Sequence, residues 1–268
     1  MASSSTTEVE QRAVTGSGTR LSVILITKNE QAHIRACLES VAFADEIIVV
    51  DSGSTDQTVE IARSMGAKVT VTPDWPGFGP QKNRALDQAT GEWVLSIDAD
   101  ERVTPELARL IQQEMAQPRG TAYRIARLSE FAGRWMRHSG WWPDRVLRLF
   151  KRGTARFNDA KVHESVQTDH PVLILDGHFL HYPYASLEIF IDKINRYSSD
   201  AARQMQAKGK TTSLPGIAGH ASWTFVRHYI VRRGFLDGPQ GFILACMAAS
   251  GSLFRYSKLW YYTRQKSV

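Results

Sequence analysis

The feature that most limits how this chain can fold is the regular exchange of short apolar runs for amphipathic segments between residues 21 and 120. Residues 21–26 are a brief apolar run, the length of a buried strand rather than a helix. Residues 31–41 then set Ile34, Cys37, Leu38 and Val41 at helical spacing. A second strand is expected over 46–50, with Ser54 or Thr55 capping a helix that runs to Met65. A third strand follows at 68–72. After the Pro/Gly-rich loop 73–80 come a helix at 81–89, a strand at 93–97 and a helix opened by Thr104-Pro105. Strands exchanged one for one with helices predict an α/β fold of Rossmann-like type: a mostly parallel central sheet with right-handed crossovers, flanked by helices. Ligands of such sheets bind beyond the carboxyl ends of the strands, and Asp51 and Asp98 fall at two of those ends.

The acidic residues there carry the chemistry. Asp98-Ala99-Asp100-Glu101 follows an apolar strand directly and precedes a helix start. Residues two apart in an extended chain share a side, so Asp98 and Asp100 are expected to face one point. Two close carboxylates repel unless one is protonated or a cation lies between them. Mg²⁺ or Mn²⁺, taking carboxylate oxygens plus phosphate oxygens of a substrate, suits the pair. Acidic turns are common, so the motif gains weight from Val49-Val50-Asp51-Ser52-Gly53-Ser54-Thr55-Asp56. Asp51 is placed to accept from a nucleobase imide or a ribose hydroxyl, whereas Asp56 reads as a helix-end charge. The first strand ends in Thr27-Lys28-Asn29-Glu30, with no GxGxxG, which argues against a dinucleotide-binding turn.

In order, spacing and strand-end placement, Leu25-Ile26-Thr27-Lys28-Asn29-Glu30, Val50-Asp51-Ser52-Gly53-Ser54-Thr55-Asp56 and Ile97-Asp98-Ala99-Asp100-Glu101 resemble the family 2 glycosyltransferases of GT-A fold. Trp142-Pro143-Asp144, Arg148-Leu149-Phe150, Val162-His163-Glu164, Gly234-Phe235-Leu236-Asp237-Gly238 and Tyr256-Ser257-Lys258 look like a narrower group, the bacterial lipopolysaccharide core β-glucosyltransferases. The resemblance implies a UDP-sugar donor, with Thr27, Asn29, Glu30, Asp51 and Ser54 around the nucleoside. Lys82 or Arg84 would approach the base or diphosphate, Asp98 the ribose or the metal, and Asp100 the metal. His181 is either a satisfied structural group or a further metal or phosphate ligand. Inverting transfer also needs a base for the acceptor hydroxyl, worth roughly 10²–10⁴-fold. The resemblance puts Glu164 in that role, with Asp144 as the alternative, although Asp144 after Pro143 reads as a turn residue. Trp135, Trp141 and Trp142 crowd the expected acceptor side. The QxxRW signature of processive synthases is absent, since Phe131 stands where its Gln belongs, and a single addition per encounter is expected.

The net charge of +6 is unevenly placed: residues 203–268 hold ten Lys and Arg against one acid, Asp237. A basic, aromatic segment of this kind calls for a polyanionic partner. No nucleic-acid-binding module is recognisable, so the expected partners are an anionic membrane surface and a lipid-linked saccharide acceptor. Trp223, Val226 and Ile230 share a helical face near Arg227, Arg232 and Arg233, a mixture that suits either an in-plane interfacial helix or a helix packed on the domain. The longest weakly polar run, residues 241–254, is shorter than the roughly 20 residues that span a bilayer. The expected organisation is a Ser/Thr/Gly-rich tail over 1–20 without the apolar run of an export signal, a catalytic domain over 21–185 and a helical, basic region over 186–268. Within the domain, 21–120 would serve the nucleotide and 121–185 the acceptor. The expected location is cytoplasmic, at the inner face of the inner membrane, with Cys37 and Cys246 as free thiols. A sugar nucleotidyltransferase is the competing enzyme, but residues 27–30 lack its Gly- and Arg-rich loop. A non-catalytic scaffold would have no use for Asp51, Asp98, Asp100 and Glu164 together.

Overall fold

In the computed structural model, which describes residues 20–159, 165–184 and 186–265, the first strand decides how the sheet is covered. Along β1 (Leu21–Thr27), Val23 and Leu25 pack into one apolar cluster and Ile24 into another. A strand apolar on both faces needs cover on both, the condition of a buried parallel strand. The chain supplies it with α1 (Ile34–Ser40), β2 (Glu46–Asp51), α2 (Thr58–Ser64), β3 (Lys68–Val71), α3 (Phe78–Leu86) and β4 (Trp93–Ser96). Ile34, Cys37 and Leu38 of α1 and Ala62 of α2 join the first cluster, while Ala85 and Leu86 of α3 join the second.

Next come β5 (Glu101–Val103), α4 (Pro105–Ala116), β6 (Ala122–Phe131), β7 (Arg134–Trp135), β8 (Asp144–Lys151), β9 (Arg156–Phe157), β10 (Val166–Gln167) and β11 (Val172–His181). The main sheet runs β3-β2-β1-β4-β8-β6-β11-β5, with β7 on β6, while β9 and β10 form a separate antiparallel pair. From β3 to β4 every pairing is parallel, as the sequence predicts. Beyond β4 the sheet is mixed: β8 runs antiparallel to β4 and β6, β6 and β11 are parallel, and β5 is antiparallel to β11. The switch follows past residue 120, where β6 to β11 succeed one another with no helix between them to make a crossover. Thr104 caps α4 as expected, its hydroxyl accepting from the Leu107 amide at 3.1 Å. The proposed capping of α2 by Ser54 or Thr55 does not occur. The helix starts later, after Gln57, because Ser54 Oγ is engaged by Asp51 and Asn29. Asp56 takes the helix-end role instead, accepting from the Thr58 amide at 3.0 Å. The helix predicted over 81–89 begins earlier, at Phe78 behind Gly77.

The last third is helical: α5 (Leu187–Ala207), α6 (Leu214–Val226) and α7 (Gly238–Tyr262), with a π turn at Arg227–Val231 and a 3-10 turn at Gly234–Asp237 between the last two. Ser186 and Ser213 cap α5 and α6. Helices α5 and α7 lie side by side and point the same way: Phe190 clusters with Leu244, Ile194 meets Gly251, Lys258 reaches Ser198, and Gln206 reaches Tyr262. The Lys258 ammonium donates to Asn195 and to the hydroxyls of Ser198 and Ser199 at 2.7–2.8 Å, so this cation is a clasp between helices rather than part of an outer basic face. Asp237, the single acid of the basic segment, is also internal. It accepts from the Arg137 and His138 amides and pairs with His138 Nδ1 at 2.9 Å, pinning the helical corner to the loop after β7. Both cysteines are free, Cys37 fully buried and Cys246 partly so. No helix among the described residues is long and apolar enough to cross a membrane.

The turn into α7 depends on a close backbone approach. A β-carbon at Gly241 would lie 1.9 Å from the carbonyl oxygen of Gly234. Gly241→Ala is therefore expected to lower stability by about 1–3 kcal/mol or more through overpacking, measured as a fall in the urea midpoint. An unchanged midpoint would show that the corner yields.

Candidate active site

Three adjacent strand tips make the floor of the site. Thr27 closes β1 opposite Asp51 at the end of β2, and β4 on the other side of β1 leads into Asp98. Asp51 is completely buried. Its Oδ2 accepts from the hydroxyls of Thr27 at 2.8 Å and Ser54 at 2.5 Å, and its Oδ1 accepts from the amides of Gly53 at 2.9 Å and Ser54 at 2.7 Å. Four donors fill a carboxylate's acceptor sites. The turn they hold needs Gly53, whose φ of +80° lies in the left-handed region. Asn29, itself at φ +57°, links the neighbouring loop. Its amide donates to Ser54 Oγ and its Oδ1 accepts from the Thr55 amide, both at 2.8 Å. The Glu30 amide donates to Thr58 Oγ1 at 2.7 Å. The sequence-predicted nucleoside residues Thr27, Asn29, Glu30, Asp51 and Ser54 are thus brought together in one hydrogen-bonded rim.

Asp98 and Asp100 part company. The expectation that both face one point assumed extended chain, but residues 98–101 form a turn closed by the Glu101 amide on the Asp98 carbonyl at 3.0 Å. Asp98 Oδ1 accepts from Lys82 Nζ at 2.9 Å, and Oδ2 from Arg148 Nη2. Burial opposes its ionisation, but Arg148 and then Lys82 outweigh that and hold the carboxyl well below the usual range. Arg148 also donates to Glu101 Oε1 at 2.8 Å, while Glu101 Oε2 accepts from the Asp98 amide at 2.9 Å. Glu101 and Arg148 are both buried. Burial works against the Arg148 charge too, yet the two carboxylates raise the guanidinium above its ordinary range. Lys82 thus points into the candidate site, paired with Asp98. Arg84 does not: two positions further along α3 it faces elsewhere and forks onto Asp74, at 3.0 and 2.5 Å.

Asp100 turns toward His181. Strand β5 pairs with the end of β11, setting His181 opposite Glu101, and the Tyr182 amide donates to the Asp100 carbonyl at 2.9 Å. His181 Nε2 lies 3.5 Å from Asp100 Oδ2, and its Nδ1 is 2.9 Å from Ser129 Oγ. An Nδ1–H given to Ser129 would leave Nε2 with the lone pair that a metal ligand needs, while an Nε2–H would donate to Asp100. Glu30 shares this field: burial, and then the charge of Asp100, push its carboxyl up to about 7. No three His, Cys, Asp or Glu side chains among the described residues form a ready-made metal cage. The donor set fits an ion whose remaining ligands come from a substrate's phosphates.

Of the two candidate bases, Asp144 is engaged: its Oδ2 accepts from Arg127 Nε at 2.9 Å and Nη2 at 2.5 Å. Glu164 lies outside the described residues, as does His163. The ends of their segment are held together, with Asn158 and Ser165 joined by amide, side-chain and carbonyl hydrogen bonds. Asn83 on α3 clamps Phe157 with its side-chain amide, Nδ2 donating to the Phe157 carbonyl at 2.9 Å and Oδ1 accepting from the Phe157 amide at 3.0 Å. Arg148, Arg127 and Glu101 escaped the sequence reading as site residues. The available signal was a charged residue set between apolar neighbours, Arg148 between Leu147 and Leu149-Phe150. Of the tryptophans, Trp141 packs with Phe131 and Phe190, Trp135 meets Tyr182, and Trp142 meets His178.

Parallel strand tips that hold a carboxylate-lined rim, beside a mixed half that returns a histidine to the acidic turn, are the arrangement of a GT-A glycosyltransferase. The chain belongs to glycosyl transferase family 2, whose pattern matches residues 22–171. It is 35% identical over 253 residues to an uncharacterized glycosyltransferase of Rickettsia typhi, covering 90% of this chain and 86% of the relative. It is 31% identical over 252 residues to LpsC of Rhizobium meliloti, a lipopolysaccharide core biosynthesis glycosyltransferase, covering 90% and 92%. Among solved structures, S. aureus TarS 1–349 in complex with UDP-GlcNAc aligns over 92% of both chains, with TM-score 0.49 and 18% identity. Glucosyl-3-phosphoglycerate synthase of Mycobacterium tuberculosis with Mn²⁺ and UDP aligns over 42% of this chain and 45% of that one, with TM-score 0.37 and 28% identity.

Removing Arg148 would leave the buried Glu101 carboxylate without its cation, beside a half-buried Asp98 held by Lys82 alone. Arg148→Met is expected to cost about 3–5 kcal/mol of stability, measured by urea unfolding at neutral pH. Adding Glu101→Gln should recover part of that loss, and a cost under about 1 kcal/mol would show that solvent reaches the pair.

Proposed function

We propose that the protein is an inverting glycosyltransferase that moves one sugar, glucose by the narrower resemblance, from a UDP-sugar to a lipopolysaccharide core or similar lipid-linked glycan. The observation that carries this reading is the pairing of Asp100, in the turn after β4, with His181 at the end of β11, while β1 beside β4 joins β2 in the Thr27–Asp51 rim. Asp100 and His181 would hold Mg²⁺ or Mn²⁺, which supplies Lewis-acid neutralisation of the diphosphate's developing charge. Ser129 fixes the His181 ring, and Lys82 with Arg148 fixes Asp98 for the ribose. Glu164 takes the proton of the acceptor hydroxyl as that oxygen bonds to the anomeric carbon and the carbon–oxygen bond to UDP breaks. The engagement of Asp144 by Arg127 favours Glu164 for this role. The relative named for lipopolysaccharide core biosynthesis supports the acceptor class.

Calorimetry with UDP is expected to show binding that needs Mn²⁺ or Mg²⁺ and falls at least about tenfold in Asp100→Ala, one charge-assisted contact being worth that much. Glu164→Gln should still bind UDP and lose about 10²–10⁴-fold in turnover. Metal-independent UDP binding would remove the role given to Asp100, and near-normal turnover of Glu164→Gln would move the base elsewhere.

The place of action in this reading is an anionic membrane surface at the inner face of the inner membrane. Support comes from the helical corner, where Trp223, Ile230, Val231, Phe235 and Phe242 stand 57, 53, 61, 47 and 48% exposed among Arg227, Arg232 and Arg233. Exposed apolar and aromatic side chains interspersed with arginines suit the boundary between headgroups and acyl chains. Sedimentation with anionic vesicles is expected to be salt-sensitive and to fall severalfold in Trp223→Ser/Ile230→Ser. Equal pelleting of that variant would take the corner out of the interface.

A further inference from the structure

The parallel pairing of α5 and α7 leaves a groove that no residue of the nucleotide rim enters. Its volume is about 740 Å³, and it is open to solvent along one side. Small residues hold it open: Ser198 and Ala201 on α5 face Ala248, Gly251 and Ser252 on α7. A β-carbon at Gly251 would already stand 3.2 Å from Ile194. The two ends differ in chemistry. At one end are Trp141 and Tyr184, with ring centroids 6.2 Å apart, and Tyr184 follows the site histidine, His181, by three residues. At the other end are Arg203 and Arg255. Neither guanidinium forms an ion pair with a carboxylate among the described residues. Asp200 also lines that end, so the charge there is mixed, with an excess of one positive. At 1.5 Å per residue, Phe190 at the aromatic end and Gln204 at the arginine end are roughly 20 Å apart along α5.

We propose that this groove seats the acceptor, and that the acceptor is an extended phosphorylated saccharide. Its reacting sugar would lie on Trp141 and Tyr184, and an anionic group a few sugars away on Arg203 and Arg255. Aromatic faces take the apolar face of a sugar ring, and paired guanidinium groups take phosphate oxygens in bidentate fashion. A simple lipid chain would use the apolar walls but leave the arginines unanswered. The inference rests on the glycosyl-transfer reading and adds to it the class of acceptor and its direction in the site.

The test uses the full chain and the phosphorylated oligosaccharide obtained by complete deacylation of bacterial lipopolysaccharide, beside the same oligosaccharide after phosphatase treatment. Binding is followed by calorimetry, with metal-dependent UDP binding as a separate control. The phosphorylated oligosaccharide is expected to bind, and the dephosphorylated one to bind at least about tenfold more weakly. Arg203→Glu/Arg255→Glu should reduce the first affinity by roughly tenfold to a hundredfold, the worth of one or two charge-assisted hydrogen bonds, and leave UDP binding unchanged. Ala248→Trp, which fills the groove without touching charge, should weaken both oligosaccharides alike. Equal binding of the two oligosaccharides, or full affinity in both variants, would overturn the proposal. Absence of UDP binding in the unaltered protein would count against the donor assignment, while the oligosaccharide comparison would still decide the groove.

Discussion

The structure of the site depends on one buried cation. Arg148 reaches from β8 to Asp98 and Glu101 beyond the end of β4, joining the mixed half of the sheet to the acidic turn. A guanidinium in the interior is tolerable only where carboxylates and its planar fork match. Here the match also spends Asp98: with Lys82 on one oxygen and Arg148 on the other, that residue becomes part of the frame. Asp100, two residues on, is left to the open side with His181. The division of labour in the acidic turn thus comes from which carboxylate the interior cations claim.

The two halves of the sheet contribute differently. The parallel half supplies a rim whose hydrogen bonds are satisfied within the chain, so its two loops are held in place by each other. The mixed half brings in groups from far along the chain, since β11 carries His181 to within 3.5 Å of Asp100 only because β5 pairs with it. The helical region adds the α5–α7 groove and the exposed corner, both placed on the side where β11 ends and α5 begins.

Much of the first half was legible because its signals are local. Apolar runs, helical spacing, the Thr104-Pro105 start and the absence of GxGxxG each act within a few residues, and the rim of Thr27, Asn29, Asp51 and Ser54 follows from strand-end position. What sequence reasoning missed depends on contacts between distant segments. The turn at residues 98–101 replaced an assumed extended geometry because Glu101 was needed beneath it, something visible only once Arg148 is in place. Arg84 was lost to Asp74 and Lys258 to the carbonyl and hydroxyls of α5, in each case because a nearby partner outcompeted the expected one. A one-dimensional charge count reads Lys258 as free surface and Asp237 as an outlier, whereas both are fasteners, Asp237 buried and Lys258 half-buried between two helices.

The lattice between residues 27–30 and 51–58 has a consequence for how this enzyme can change. Asn29 gives its amide to Ser54 and takes one from Thr55, Gln31 and Asp56 share another such link, and Thr58 answers Glu30. Neither loop can drift alone, because altering one side strands donors or acceptors on the other. Single replacements in the two loops are therefore expected to be non-additive, with paired replacements on both sides costing less than the sum of the parts.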